Sequence, residues 1–395
     1  MQAYNFSTNQ ETTSAAIDEL RAEVGRAGIT PDVVIAFYGC AHDADELQRF
    51  LAATFSGAAL IGGSSSGGMM DSQGVGAPTS IGLLLLCDHD GEFGAAGRAK
   101  GDDPTGAARD ALHAALAAAD CEGQLPDMIW IYQSPGHEEA VMEGLKSIVG
   151  DGCPIFGGSA ADNDVSGLWT LISPEGALTD GIVVVALFPS GRVGYAFQGG
   201  YEPSGHSGVA AMSEGDATSR MVETIDGTPA AEVYDGWIGH AIREKLRTGG
   251  NILADTTMFP LGVELGEMNG IQQYLLVHPE TVTPSGALTT FANIVPGTRL
   301  HCMVGEKSKL VERAGKVVNQ ALQQLEGDEP TAALVVYCGG CRLAVGDAVA
   351  DVQRSIGAAL GDAPYLGTFT FGEQGTVLDQ SSHGNLMISA IVFGR

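Results

Sequence analysis

The stretch "LIGGSSSGGM" (60–69) is echoed by "IFGGSAADND" (155–164), so one chain writes apolar-Gly-Gly-Ser twice. Working outward, a shift of 95 positions places Asp32 on Asp127, His42 on His137, Gly57 on Gly152 and Gly62-Gly63-Ser64 on Gly157-Gly158-Ser159 without a gap. Self-similarity at a fixed offset marks a duplicated structural unit. Each copy opens with a buried-strand run, "DVVIAFYG" (32–39) or "DMIWIYQS" (127–134), and turns at a His-acidic pair. An amphipathic helical pattern follows, "DADELQRFLAATF" or "EEAVMEGLKSIV", and then a short apolar strand runs into the glycines.

After five extra residues the register resumes at a shift of 100, where "SIGLLLLCDHDG" (80–91) matches "DGIVVVALFPSG" (180–191). Each unit therefore adds a strand, a turn and another strand. A third, more divergent unit begins at "AALVVYCGGC" (332–341), continues through the helical "DAVADVQRSIGAAL" (347–360) and reaches "PYLGTFTFGEQG" (364–375) before "NLMISAIVFG". Between the second and third units, "IDGTPAAEVYDGWIG" (225–239) predicts a turn and a helix, and 270–304 predicts short strands between Pro and Gly turns. The reading is an α/β (mixed α+β) fold in which repeated strand-helix-strand units form helix-covered sheets in two domains. The first domain spans 1–222 with repeats at about 32–97 and 127–197, and the second spans 223–395.

Composition narrows the function. With 395 residues, 44% apolar content and only 17% charged residues, the chain can build its own cores without staples. A formal net charge of −28 repels phosphate backbones and anionic bilayers, which argues against nucleic-acid and membrane partners. Seven cysteines form no even framework, and "MQAYNFSTNQ" is not a secretory leader, so a reducing cytoplasm is expected. The longest apolar runs, 81–87 and 182–188, are far shorter than the roughly 20 residues a membrane span needs.

A Gly-Gly pair at a strand end removes both side chains and permits positive φ, so the backbone can approach a neighbour or a ligand closely. Two readings stay open for Gly62, Gly63, Ser64, Gly157, Gly158 and Ser159: a turn packed against its duplicate, or a pocket floor. Neither loop follows a phosphate-binding pattern. No nucleophile elbow or zinc-protease motif is present, so no enzyme activity is expected.

The chain resembles the FIST sensory proteins, with an N-type and a C-type domain. The resemblance rests on "IGGSSSGG", "IFGGSAAD", "IDGTPAAEVYDGW", "CR" followed by "LAVGD", "PYLGTFTFGEQG" and the closing "HGN". It implies a ligand-sensing module of signal transduction. Free-standing proteins of this kind are also similar to a nitric-oxide-sensing haem subgroup, NosP, that regulates partner histidine kinases or cyclic-di-GMP enzymes (diguanylate cyclases and phosphodiesterases). That similarity makes haem a cofactor to consider.

Haem iron wants an axial imidazole or thiolate. His42 and His137 hold equivalent repeat positions, and His206 and His240 are further candidates. The resemblance places Cys341 and Arg342 in a ligand pocket, the guanidinium forming a hydrogen-bonding fork for a carboxylate or propionate; a salt bridge to an acidic neighbour is the competing account. Glu373 and Asn385 would complete a site of opposite charges suited to an amino acid or another carboxylate. Cys338 and Cys341 also have the spacing of a thiol oxidoreductase.

Overall fold

A computed structural model describes residues 1–212 and 219–395. The first unit runs β1 (Gln2–Thr8), α1 (Thr13–Ala27), β2 (Val33–Gly39), α2 (Ala44–Thr54), β3 (Ala59–Ser65), the hairpin β4 (Met69–Asp71) and β5 (Gly74–Val75), and β6 (Ile81–Cys87). The second repeats the order: β7 (Glu92–Ala99), α3 (Pro104–Ala118), β8 (Met128–Gln133), α4 (Glu138–Val149), β9 (Ile155–Ser159), hairpin β10 (Leu171–Ser173) and β11 (Gly176–Leu178), then β12 (Gly181–Phe188).

A third unit opens with β13 (Val193–Gly199) and is interrupted by an insertion. The insertion's strands are β14 (Tyr201–Ala211), β15 (Ser219–Val222), β16 (Thr224–Ile225), β17 (Thr228–Pro229), β18 (Gly250–Asn251), β19 (Leu261–Met268), β20 (Ile271–Val277), β21 (Pro279–Val282), β22 (Leu288–Ile294) and β23 (Arg299–Gly305). Three short helices, α5 (Ala230–Trp237), α6 (Lys245–Thr248) and α7 (Leu253–Thr256), lie among them. Residue 222, where the sequence reading divides the chain, ends β15 inside this insertion. The third unit then resumes with α8 (Lys307–Gln323), β24 (Pro330–Cys338), α9 (Gly339–Val345), α10 (Val349–Leu360), β25 (Tyr365–Thr370), hairpin β26 (Gly372–Val377) and β27 (Gln380–Gly384), and β28 (Met387–Gly394).

The mixed α/β class with repeated strand-helix-strand units is what the structure has, and it resolves the strand order. Each unit contributes one parallel pair, β2 with β3, β8 with β9 and β24 with β25, flanked by antiparallel neighbours. The sheets run β1-β6-β2-β3-β10-β11, β7-β12-β8-β9-β26-β27 and β13-β28-β24-β25-β4-β5. The hairpin of each unit thus completes another unit's sheet: the first gives its hairpin to the third, the second to the first and the third to the second. The exchange closes on itself and interlocks the three sheets.

Alternation along the strands explains the layers. Val33, Ile35 and Phe37 of β2, and Met128, Trp130 and Tyr132 of β8, face the shared core between the sheets. Val34, Ala36 and Tyr38 face α1 and α2, while Ile129 and Ile131 face α3 and α4. Strands buried on both faces read as continuous apolar runs, which is how they were recognisable. The helices are started by local chemistry. Asp43 accepts from the Glu46 N–H at 2.9 Å, and Asp103, just before Pro104, accepts from the Gly106 N–H at 2.8 Å.

Candidate functional site

The carboxyl ends of the parallel strands meet the insertion around a cleft of about 190 Å³. Ligands of α/β sheets sit in such crevices. The body supplies Ser66 after β3, Asn163 and Val165 after β9, Cys338, Gly339, Gly340, Arg342 and Leu343 where β24 passes into α9, and Phe371 after β25. Asn385, between β27 and β28, completes that side. The insertion faces it with Leu253, His278 and Phe291.

The repeated glycines stand behind this wall, not on it. A Cβ on Gly63 would lie 2.4 Å from the ring of Tyr132 in the second unit, and one on Gly158 would lie 2.5 Å from Thr370 Cγ2 in the third. Gly62 and Gly157 are pressed against backbone carbonyls of Ala36 and Ile131, with Cβ positions at 2.3 and 1.9 Å. Ser64 and Ser159 are fully buried: Ser64 Oγ accepts from the Thr170 N–H at 3.0 Å, and Ser159 Oγ donates to Glu138 at 3.0 Å. Of the two readings of the motif, close packing between units is the one this geometry satisfies.

The glycine that shapes the cleft is Gly67, four positions past the pair, at φ +70°. A Cβ there would lie 2.1 Å from Arg342 Nη1. Arg342 Nη2 donates to the Gly67 carbonyl at 2.9 Å, and the Gly67 N–H donates to Asn163 Oδ1 at 2.7 Å. Loops of all three units are thereby fastened at one point. The guanidinium carbon also sits 4.8 Å above the Phe369 ring, a cation–π position.

Arg342 Nε is buried and has no hydrogen-bond partner. Among the described residues no carboxylate lies within ion-pair distance of Arg342, whereas Arg98, Arg192 and Arg220 are all paired. Burial pulls the Arg342 pKa below the usual guanidinium value. A wider surface hollow of about 500 Å³ beside Asp127, Arg192 and Asp328 offers no comparable charge, because Arg192 already binds Glu326 and Asp328.

Glu373 was expected to bring a negative charge to the site. It is fully buried and lies outside the wall, accepting from Thr370 Oγ1 at 2.7 Å and from the Met387 N–H at 3.1 Å. Burial first, then the neighbouring Cys338, pushes its carboxyl well above the ordinary carboxylate range. Asn385 does reach the wall; its Oδ1 accepts from the His278 N–H at 3.3 Å and its Nδ2 donates to the Phe371 carbonyl at 3.5 Å. Of the CGGC pair, Cys338 touches the cleft, while Cys341 is buried with Sγ 3.7 Å from the Tyr201 hydroxyl. Burial raises the Cys338 thiol well above its usual pKa, the opposite of the thiolate an oxidoreductase needs. The segment 339–345 forms helix α9, a turn the two glycines had hidden in the sequence.

The histidines proposed for haem do not converge on the cleft. His42 is buried with Nδ1 3.2 Å from Thr13 Oγ1 and Nε2 2.6 Å from the Thr79 carbonyl, leaving no free ring nitrogen. His137 is exposed at the start of α4, His206 is exposed on β14, and His240 is exposed with Nδ1 2.9 Å from Asp235. His278, on the wall, sets Nε2 3.0 Å from Thr256 Oγ1, and burial lowers its pKa to about 4. A porphyrin is also too large for about 190 Å³. The residues present do not fit haem at this cleft.

Sequence reasoning does not single out Phe291 or Asn163, and it reads His278 as a structural histidine. The clue for His278 was its place at the end of the apolar run "YLLV", where strand tips carry site residues.

Residues 32–228 match the model of a family described as the FIST N domain, and residues 230–376 match one described as the FIST C domain. No curated protein matches the chain.

Proposed function

Because the chain belongs to the FIST family, whose domains are signal-transduction sensors that bind small ligands, we propose that the cleft around Arg342 is its ligand-sensing site. The observation that carries this reading is the Arg342 guanidinium, held in the cleft with a buried Nε unused and no acidic partner among the described residues. A partly buried charge left without a counter-ion is costly to a protein. A carboxylate ligand would supply the missing acceptors as a forked pair.

The insertion contributes one wall and the three-unit body the other, so a ligand that touches both biases how they close. That change is what a partner signalling enzyme, a histidine kinase or a cyclic-di-GMP enzyme, would read in the cytoplasm. Among the described residues no helix is long and apolar enough to cross a membrane. The role is binding rather than catalysis.

The test is a thermal-shift and calorimetric screen of small carboxylates against the wild-type chain and Arg342→Gln. Ligands should raise the melting temperature of the wild type and lose that effect in the variant. Equal binding by both proteins would place the site elsewhere. An absorption spectrum after haem addition completes the test: a Soret band that moves with nitric oxide would replace the carboxylate reading with the haem one.

A further inference from the structure

Resting on the reading of the cleft as the sensing site, we infer that its ligand is a small organic anion with an apolar body and no ammonium group. A desamino carboxylic acid is meant, rather than an α-amino acid.

The charge balance of the wall carries the argument. Among the described residues the wall holds one cation, Arg342, and no aspartate or glutamate. The acids near it are either held by other groups or stand off the wall. Both Glu373 oxygens are used inside the protein, by Thr370 and Met387. Asp162 is buried, and its oxygens accept from the N–H groups of Asp164, Val165, Gly167 and Leu168 and from the Ser166 hydroxyl. Asp164 is exposed to solvent and is not part of the wall. In the adjoining cleft, which shares Val165, Phe291 and Phe371, Glu138 is bound by Arg220 and Glu280 accepts from the Thr289 hydroxyl.

An α-amino acid carries its ammonium two bonds from its carboxyl carbon. With the carboxylate on Arg342, that ammonium stays inside the same cleft, where it meets no carboxylate. A buried charge without a partner is strongly disfavoured. Such a penalty discriminates by exclusion rather than by attraction. The remaining wall suits what is left of the ligand: Leu253, Phe291 and Phe371 offer apolar surface, and Asn163 and Asn385 provide amides at its edge. A space of about 190 Å³ limits that body to roughly one ring or a short branched chain.

The experiment uses the full chain with phenylacetate, 3-phenylpropanoate and 4-methylpentanoate, each set against L-phenylalanine or L-leucine, with phenethylamine as the cationic control. Calorimetry measures affinity. Trp169, edge-on to Phe371 with ring centroids 6.2 Å apart, reports occupancy through its fluorescence. The acids should bind, the matched amino acids should bind about 30-fold more weakly or worse, and phenethylamine should not bind. Arg342→Gln should abolish acid binding, and Arg342→Lys should restore part of it. Amino acids that bind as tightly as the acids, through Arg342, would overturn this inference and leave the sensing cleft standing. Silence from acids and amino acids alike, or binding indifferent to Arg342, would overturn the sensing cleft and this inference with it.

Discussion

The hydroxyls of Tyr132 and Thr368, 236 positions apart in the chain, lie 2.8 Å from one another. The Tyr132 hydroxyl also reaches the Ser64 carbonyl at 3.0 Å. One buried phenol on the second unit thus ties the first and third units together. The same ring fills the space left by the absent side chain of Gly63 and lies 5.2 Å from the Phe37 ring. The junction behind the ligand cleft is built from side chains of all three units.

Tyr132→Phe keeps the ring and removes the hydroxyl, leaving the buried Thr368 hydroxyl without its partner and the Ser64 carbonyl with the Ala161 N–H alone; a loss of about 1–3 kcal/mol in urea unfolding is expected. Gly63→Ala should be worse, because its Cβ would need the space of a fully buried ring, 2.4 Å away. If the alanine variant matched the wild type in stability, the close approach of the units would not be what the glycine serves.

Gly67→Ala and Arg342→Met should separate stability from binding. The alanine methyl would displace the guanidinium from a contact of 2.1 Å and strain a backbone at φ +70°, so ligand affinity should fall with a stability loss of about 1–2 kcal/mol. Arg342→Met removes an unpaired charge, so the ligand-free protein should melt higher than the wild type while binding disappears. A lower melting temperature for Arg342→Met would mean that the hydrogen bond to the Gly67 carbonyl and the cation–π contact with Phe369 outweigh the cost of the unpaired charge.

His278 sets an acid limb. Its folded pKa of about 4 lies below the usual 6.5, so between these values the unfolded chain takes a proton that the folded chain refuses. Stability should therefore decline as pH drops from about 6.5 to about 4, by as much as ~3 kcal/mol. Glu138, lowered from 4.5 to about 2 against the opposing effect of burial, by the charges of His383 and Arg220, adds a second loss as pH falls through that lower range. Melting curves of His278→Gln across pH 2–7 should lack the first limb and keep the second.

Glu373 acts in the opposite sense. Its carboxyl pKa is raised, so its favourable state is fully present below the ordinary carboxylate range and is lost as pH climbs towards the folded value. Glu373→Gln keeps one oxygen for the Met387 N–H and offers an amide to the Thr370 hydroxyl, which can turn to accept. The variant should be less sensitive than the wild type to rising pH in thermal melts. An unchanged alkaline dependence would show that the folded protein holds Glu373 ionised.

Arg220 fastens the insertion to the second unit, with Nη2 2.7 Å from Glu138 and 2.8 Å from Glu139. Glu139 also accepts from the Asn293 N–H at 2.7 Å. Arg220→Met strands the buried Glu138 carboxylate and should cost about 2–4 kcal/mol. Glu138→Gln in that background should recover much of the loss, a coupling that a double-mutant cycle would measure.

The sequence by itself determined the elements. The apolar runs of β2, β8 and β24 are buried on both faces, and the offset of 95 positions exposed the duplicated unit. These signals are local or strictly periodic, so they survive without a structure. Arg342 and Asn385 were legible as wall residues through the family motifs.

Only the tertiary structure decided which sheet each hairpin joins. Strand pairing is chosen by contacts between residues far apart in the chain, and β4, β10 and β26 carry nothing local that names a partner. The same reason hid the cleft: Ser66, Asn163, His278 and Arg342 become neighbours only once the three sheets interlock and the insertion folds over their ends. It also reassigned the glycine pairs, because whether a missing side chain makes room for a ligand or for a Tyr132 ring depends on what the rest of the chain brings to that space.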